Sequence, residues 1–169
     1  MNTASFGSST KIGSIRQALN LLGRNQLIRW IQLLLYSLDD NGDSPSALLQ
    51  LAAKRGKLME LLARHASHEL GGFQERSHMA GMLSLADTLL GMSMQEIIRI
   101  LNPEDDLIDA LLERKGRIGS LLSLCENLEA ADFDQVEMLA NSLHIPMLTI
   151  LKSQGEAMAW VCMLSDQAH

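Results

Sequence analysis

Met79-Ala80-Gly81-Met82-Leu83-Ser84-Leu85-Ala86-Asp87-Thr88-Leu89-Leu90-Gly91 is the stretch on which the fold turns. At the roughly 100° per residue of an α-helix, Met79, Met82, Leu83, Ala86, Leu89 and Leu90 share one broad face, with Leu85 at its edge. Ser84, Asp87 and Thr88 make a narrow polar strip. A helix so apolar predicts a core position with neighbours on most sides. It is expected to run from about Gln74 to Leu90, after a break at Gly71-Gly72. Asp87 on such a surface needs a donor, and arginines of the first two helices are the expected partners.

Working towards the N-terminus, a helix is predicted from about Ser46 to His65, with Gly56 inside it as a kink or a close helix contact. The run Asp39-Asp40-Asn41-Gly42-Asp43-Ser44-Pro45 is a loop. Before it, Leu27, Ile28, Trp30, Ile31, Leu34, Leu35 and Leu38 cover most of a helix predicted over Asn25 to Leu38. Ile15, Ala18, Leu19 and Leu22 mark a first helix that Gly23 stops.

Towards the C-terminus, Ser93-Met94-Gln95-Glu96 spells a capping box for a short helix ending near Leu101. Glu104, Asp105 and Asp106 suit the first turn of the next helix, which Gly116 is expected to close. Leu121, Leu122, Leu124, Cys125 and Leu128 define another. Asp132 to Leu143 reads as a short helix with Phe133, Val136, Leu139 and Ala140 inward. Pro146 opens the last, which carries Leu148, Leu151, Met158, Val161, Cys162 and Leu164. No segment alternates as a strand does. Residues 1–169 therefore read as a single all-α domain, an irregular multi-helix bundle.

Composition agrees. The chain has 169 residues, 47% of them hydrophobic and only 4% aromatic, so leucine and methionine must fill the core. Lys plus Arg is 14 against 20 for Asp plus Glu, a net charge of −6 that disfavours nucleic acid as a partner. No apolar run approaches the roughly 18 residues of a membrane span, and Met1 to Ser14 lacks the core of a secretory signal. Cys125 and Cys162 read as small buried hydrophobes, not as a disulfide or a metal clip. A cytoplasmic location is the expectation.

Candidate chemistry is sparse. His65 and His68 are three apart and, with His78, are the best metal candidates on spacing, but no carboxylate stands in a fixed place beside them. A polar helix end, where histidine suits the C-terminal dipole, is the favoured reading of the first two. Ser84 with Asp87 lacks a base. Lys54-Arg55-Gly56-Lys57 and Arg114-Lys115-Gly116-Arg117 read as helix surface or a helix C-terminus.

The order of several short motifs resembles the HDOD group, the HD-related output domains of bacterial signalling proteins. Asn2-Thr3-Ala4-Ser5-Phe6-Gly7 is similar to an N-S-A-x-F-G turn. Ile12-Gly13-Ser14-Ile15-Arg16-Gln17-Ala18 and Leu22-Gly23 are similar to the element that follows it. Gly81 to Gly91 resembles the metal-binding helix of HD phosphohydrolases, with Ser84-Leu85 where the His-Asp pair would stand. Arg29-Trp30, Leu33-Leu34-Leu35-Tyr36 and Glu156-Ala157 with Trp160 look like the HDOD half of proteins that join it to an EAL domain.

The resemblance implies an HD-related helical bundle that acts by protein contact in cyclic di-GMP-related signalling, without catalysis and without a cofactor. It also implies helices ahead of the Asn2 turn. The apolar face of Leu27, Ile28, Trp30, Ile31, Leu34 and Leu35 is then the expected interaction face, towards an EAL-type domain, another protein or a second copy. Two alternatives stand beside this reading. One is a metal-dependent HD phosphohydrolase, which needs a His and Asp cluster. The other is a DNA-binding regulator, which needs a basic helix.

Overall fold

The computed structural model describes residues 47–66 and 72–166. Among these there are eight helices and no strand: α1 (Ala47–Ala66), α2 (Phe73–Leu83), α3 (Ala86–Leu90), α4 (Met94–Leu101), α5 (Asp105–Glu113), α6 (Gly116–Glu129), α7 (Phe133–Leu143) and α8 (Met147–Asp166). The all-α expectation holds. The predicted helices before Ala47, with the face from Leu27 to Leu35, lie outside the described residues, as does His68.

The first part of the stretch, Met79 to Ser84, sits at the centre, as its pattern predicts, whereas from Leu85 to Gly91 only Ala86 is buried. Met79, Ala80, Gly81, Met82 and Leu83 are all buried. α2 packs on α1, α5 and α6 and continues into α3. Its one departure is a break. The Ser84 hydroxyl turns back to donate to the Gly81 carbonyl at 2.7 Å, and Leu85 leaves helical geometry at φ −113 and ψ 7. A serine that bonds its own preceding turn offers the backbone an alternative to continuing the helix. So the predicted single helix is two, and Gly91 in the left-handed region ends the second at φ 62.

The core is one cluster of aliphatic side chains. Met59, Leu62, Met82, Leu107, Leu121, Leu122 and Leu124 are fully buried in it. Each is worth about 1.5–3 kcal/mol of transfer free energy. The predicted capping box is present: the Ser93 hydroxyl accepts from the Glu96 amide, and the Glu96 carboxylate accepts from the Ser93 amide. Asp132 caps α7 by accepting from the Gln135 amide at 3.2 Å.

Three details differ from expectation. Gly116 does not close α5 but opens α6. Arg114 takes the left-handed position at φ 56 instead, and its guanidinium donates to the last carbonyls of α5, Ala110 and Leu111. Phe133 is 65% exposed, because it lies in the first turn of α7, ahead of the part that reaches the core at Val136. Leu148, Leu151 and Met158 of α8 are also exposed, as is Cys162, against its expected burial, since Ile150, Ala157 and Val161 provide the buried face of this helix.

Candidate functional site

The position that matters for chemistry is Ser84, at the end of the central helix. It is buried, at 8% exposure, and a buried hydroxyl needs partners. It has two. It donates to Gly81, and it accepts from Nη1 of Arg55 at 2.7 Å.

Arg55 comes from the middle of α1 and is itself only 5% exposed. Its guanidinium forks onto Glu129 of α6, Nε donating to Oε1 at 3.0 Å and Nη2 to Oε2. Glu126, one turn earlier on α6, lies 3.6 Å from Nη1. Glu126 also takes two hydrogen bonds from Arg114, at 2.9 and 2.7 Å. Two arginines and two glutamates therefore join α1, the end of α2, the end of α5 and α6. Burial works to lower the Arg55 pKa. Glu129, by hydrogen bond and charge, and then Glu126 more than offset it, so the group stays ionised. Cys125 lies beside this cluster, fully buried; burial pushes its thiol far up, which leaves it inert.

The sequence reading placed Arg55 on a basic surface. The signal that corrects it is periodic: Arg55 is three residues after Ala52 and four before Met59, both fully buried. Glu126 and Glu129 follow Leu122 and Cys125 at the same spacing, at the edge of the buried face of α6.

Among the described residues Asp87 meets no arginine; the arginines expected for it, on the first two helices, lie outside them. Its carboxylate is half-buried and accepts from the Thr88 amide at 2.7 Å and the Thr88 hydroxyl at 3.3 Å. The break after Leu83 turns Asp87 away from the helix face that would have buried it. Ser84, not Asp87, carries the buried polar role.

Of the three candidate histidines, His65 and His78 are described, and His68 lies outside the described residues. His65 is exposed at the end of α1. His78 is half-buried on α2, its Nδ1 3.3 Å from Glu60 of α1 without forming a hydrogen bond. Its ring stands edge-on to Trp160 of α8, centroids 6.5 Å apart, and Lys57 lies 5.6 Å above the same indole. Among the described residues no group of three His, Cys, Asp or Glu could hold a metal.

Burial depresses the His78 pKa from its usual 6.5; Glu60 opposes this, and Lys57 reinforces it. Above about pH 6.5 both the folded and unfolded forms are neutral, and below it the unfolded chain takes a proton that the fold resists. Stability should fall as pH drops below that value, and His78→Phe should flatten the slope. Urea unfolding of both proteins across this range checks it. Parallel pH profiles would place the titration elsewhere.

The fold and this site define an all-α domain whose central polar position is held by a guanidinium–carboxylate cluster. The chain is similar to the cyclic di-GMP phosphodiesterase CdgJ of Vibrio cholerae, 32% identical over 160 residues, which cover 95% of this chain and 36% of CdgJ. It is also 36% identical over 146 residues to the uncharacterized protein YuxH of Bacillus subtilis, covering 85% of this chain and 35% of YuxH. The chain thus spans about a third of the length of these curated relatives. No protein-family model matches it, and no solved structure does. Among the described residues no helix is long and apolar enough to cross a membrane.

Proposed function

We propose that this chain is a non-catalytic signalling domain of the HDOD type, acting through protein contacts in cyclic di-GMP-related signalling in the cytoplasm. The observation that carries the reading is the occupant of the degenerate motif. Ser84-Leu85 stand where the resemblance puts a His-Asp pair, and Ser84 is bonded to a buried, permanently charged arginine. A guanidinium with Glu126 and Glu129 around it satisfies the carboxylates and fills the space beside the hydroxyl. A hydroxyl and an aliphatic side chain are poor ligands for a hydrolytic metal.

The similarity to CdgJ supports the signalling context. We assign hydrolysis in that relative to the part of it that this chain does not span. An EAL-type domain, in the same or another chain, is the partner this reading favours.

The test is an assay of the purified chain with Mn²⁺, Mg²⁺ or Fe²⁺ against cyclic di-GMP, nucleotides and generic phosphodiesters. No turnover is expected. Turnover that disappears in His65→Ala with His78→Ala would make the chain a metal-dependent phosphohydrolase and end the proposal.

A further inference from the structure

We propose that the outward face of α8 pairs with the same face of a second copy of this chain, the two helices antiparallel and crossing at Gly155. α8 has two apolar faces. Ile150, Ala157 and Val161 are buried against the domain, and α8 packs on α1 there. On the opposite side, Leu148, Leu151 and Met158 are 62%, 56% and 53% exposed, and Gly155 and Cys162 are exposed with them. These five follow one another at spacings of three and four residues, the seam of a helix that packs on another helix.

Two observations point to a copy of the same chain. The first is Gly155. Among the described residues a Cβ there would meet nothing within 4 Å, so their packing does not require glycine. Glycine weakens a helix interior relative to alanine, and its use on an exposed apolar seam is explained by close approach of a second backbone.

The second is the symmetry of the seam. Leu148 and Leu151 lie seven and four residues before Gly155, and Met158 and Cys162 lie three and seven after it. A two-fold axis through Gly155 therefore sets Leu151 near Met158 of the partner subunit and Leu148 near Cys162 of the partner subunit, as a self-complementary interface requires.

Charge agrees with the same pairing. Lys152 and Glu156 are exposed along one edge of the seam. In the antiparallel arrangement that edge meets its own copy. At a rise of about 1.5 Å per residue, Lys152 comes within about 3 Å along the axis of Glu156 of the partner subunit.

This proposal does not depend on the absence of catalysis. It is tested by sedimentation of the full chain over a wide concentration series. The expected result is a particle of twice the 18.6 kDa chain mass that dissociates on dilution. Leu151→Glu with Met158→Glu should raise the dissociation constant by about a hundredfold or more while helical circular dichroism is kept, because both side chains are exposed. Lys152→Glu should weaken association, and Lys152→Glu with Glu156→Lys should recover it. A monomer at every concentration would overturn the proposal, whether residues 1–46 cover the face or nothing does. So would a dimer that survives Leu151→Glu with Met158→Glu.

Discussion

Arg55→Met should cost the fold about 3 kcal/mol, near the lower end of what removing one partner of a buried ion pair costs. The reason is what it leaves behind. Glu129 loses both guanidinium bonds, Glu126 loses a nearby cation, and the Ser84 hydroxyl loses its buried donor. The glutamate side chains are 21% and 30% exposed, so water recovers part of their solvation, which holds the cost to that end of the range.

The comparison variants separate the contributions. Ser84→Ala removes two hydrogen bonds, the one given to Gly81 and the one taken from Arg55, and should cost about 2 kcal/mol. Arg55→Lys keeps the charge but cannot fork onto Glu129 and reach Ser84 together, so it should recover only part of the loss. Arg55→Met with Glu129→Leu should cost less than the sum of the two single changes, because neither charge is then stranded. Urea unfolding of these variants and of Glu129→Leu alone gives all five values. A loss under about 1 kcal/mol for Arg55→Met would mean that water replaces the guanidinium freely, and the cluster would then say little about the degenerate motif.

Most of the described fold was legible because its signals are local. The capping box at Ser93, the cap at Asp132, Pro146 before α8 and the apolar face from Met79 to Ala86 each rest on a few neighbouring residues. The site was less legible because it rests on residues far apart. Arg55 and Glu129 are 74 positions apart, and nothing near Arg55 announces Glu129. What the sequence offered was only the periodicity that sets Arg55 between Ala52 and Met59, and its neighbours Lys54 and Lys57 masked that signal. Asp87 differs in another way: a helical wheel assumes an unbroken helix, and the chain leaves helical geometry at Leu85, between Ser84 and Asp87. The exposed side of α8 misled in a third way: composition marks it as apolar on both sides, and only the packing of α1 tells which side is covered.

Gly81→Ala should destabilise the protein by about 3 kcal/mol or more, at the top of the usual range for overpacking. α1 and α2 touch backbone to backbone at this point. A Cβ on Gly81 would lie 2.6 Å from the Gly56 Cα, 2.7 Å from its nitrogen and 2.8 Å from the Arg55 carbonyl carbon. None of these atoms belongs to a side chain that can rotate away, so the helices themselves must separate. The gain in helix propensity on replacing glycine with alanine, about 1 kcal/mol, does not offset that. Gly56→Ala is the milder control. Its Cβ would first meet the Met82 Cγ at 2.7 Å, on a flexible side chain, and the His78 carbonyl oxygen at 3.0 Å. Gly155→Ala, with open space around it, should stabilise the chain under conditions where it is monomeric. The expected order of melting temperatures is therefore Gly155→Ala, unaltered protein, Gly56→Ala, Gly81→Ala. The separation also reaches the site, since Arg55 is adjacent to Gly56, and Ser84 is one turn after Gly81. Pushing α1 away from α2 pulls the guanidinium from the hydroxyl, so Ser84→Ala should cost less in the Gly81→Ala background than alone. Fully additive losses would show that the helix contact and the arginine cluster are independent. A Gly81→Ala protein as stable as the original would mean that α1 and α2 are not in backbone contact at all.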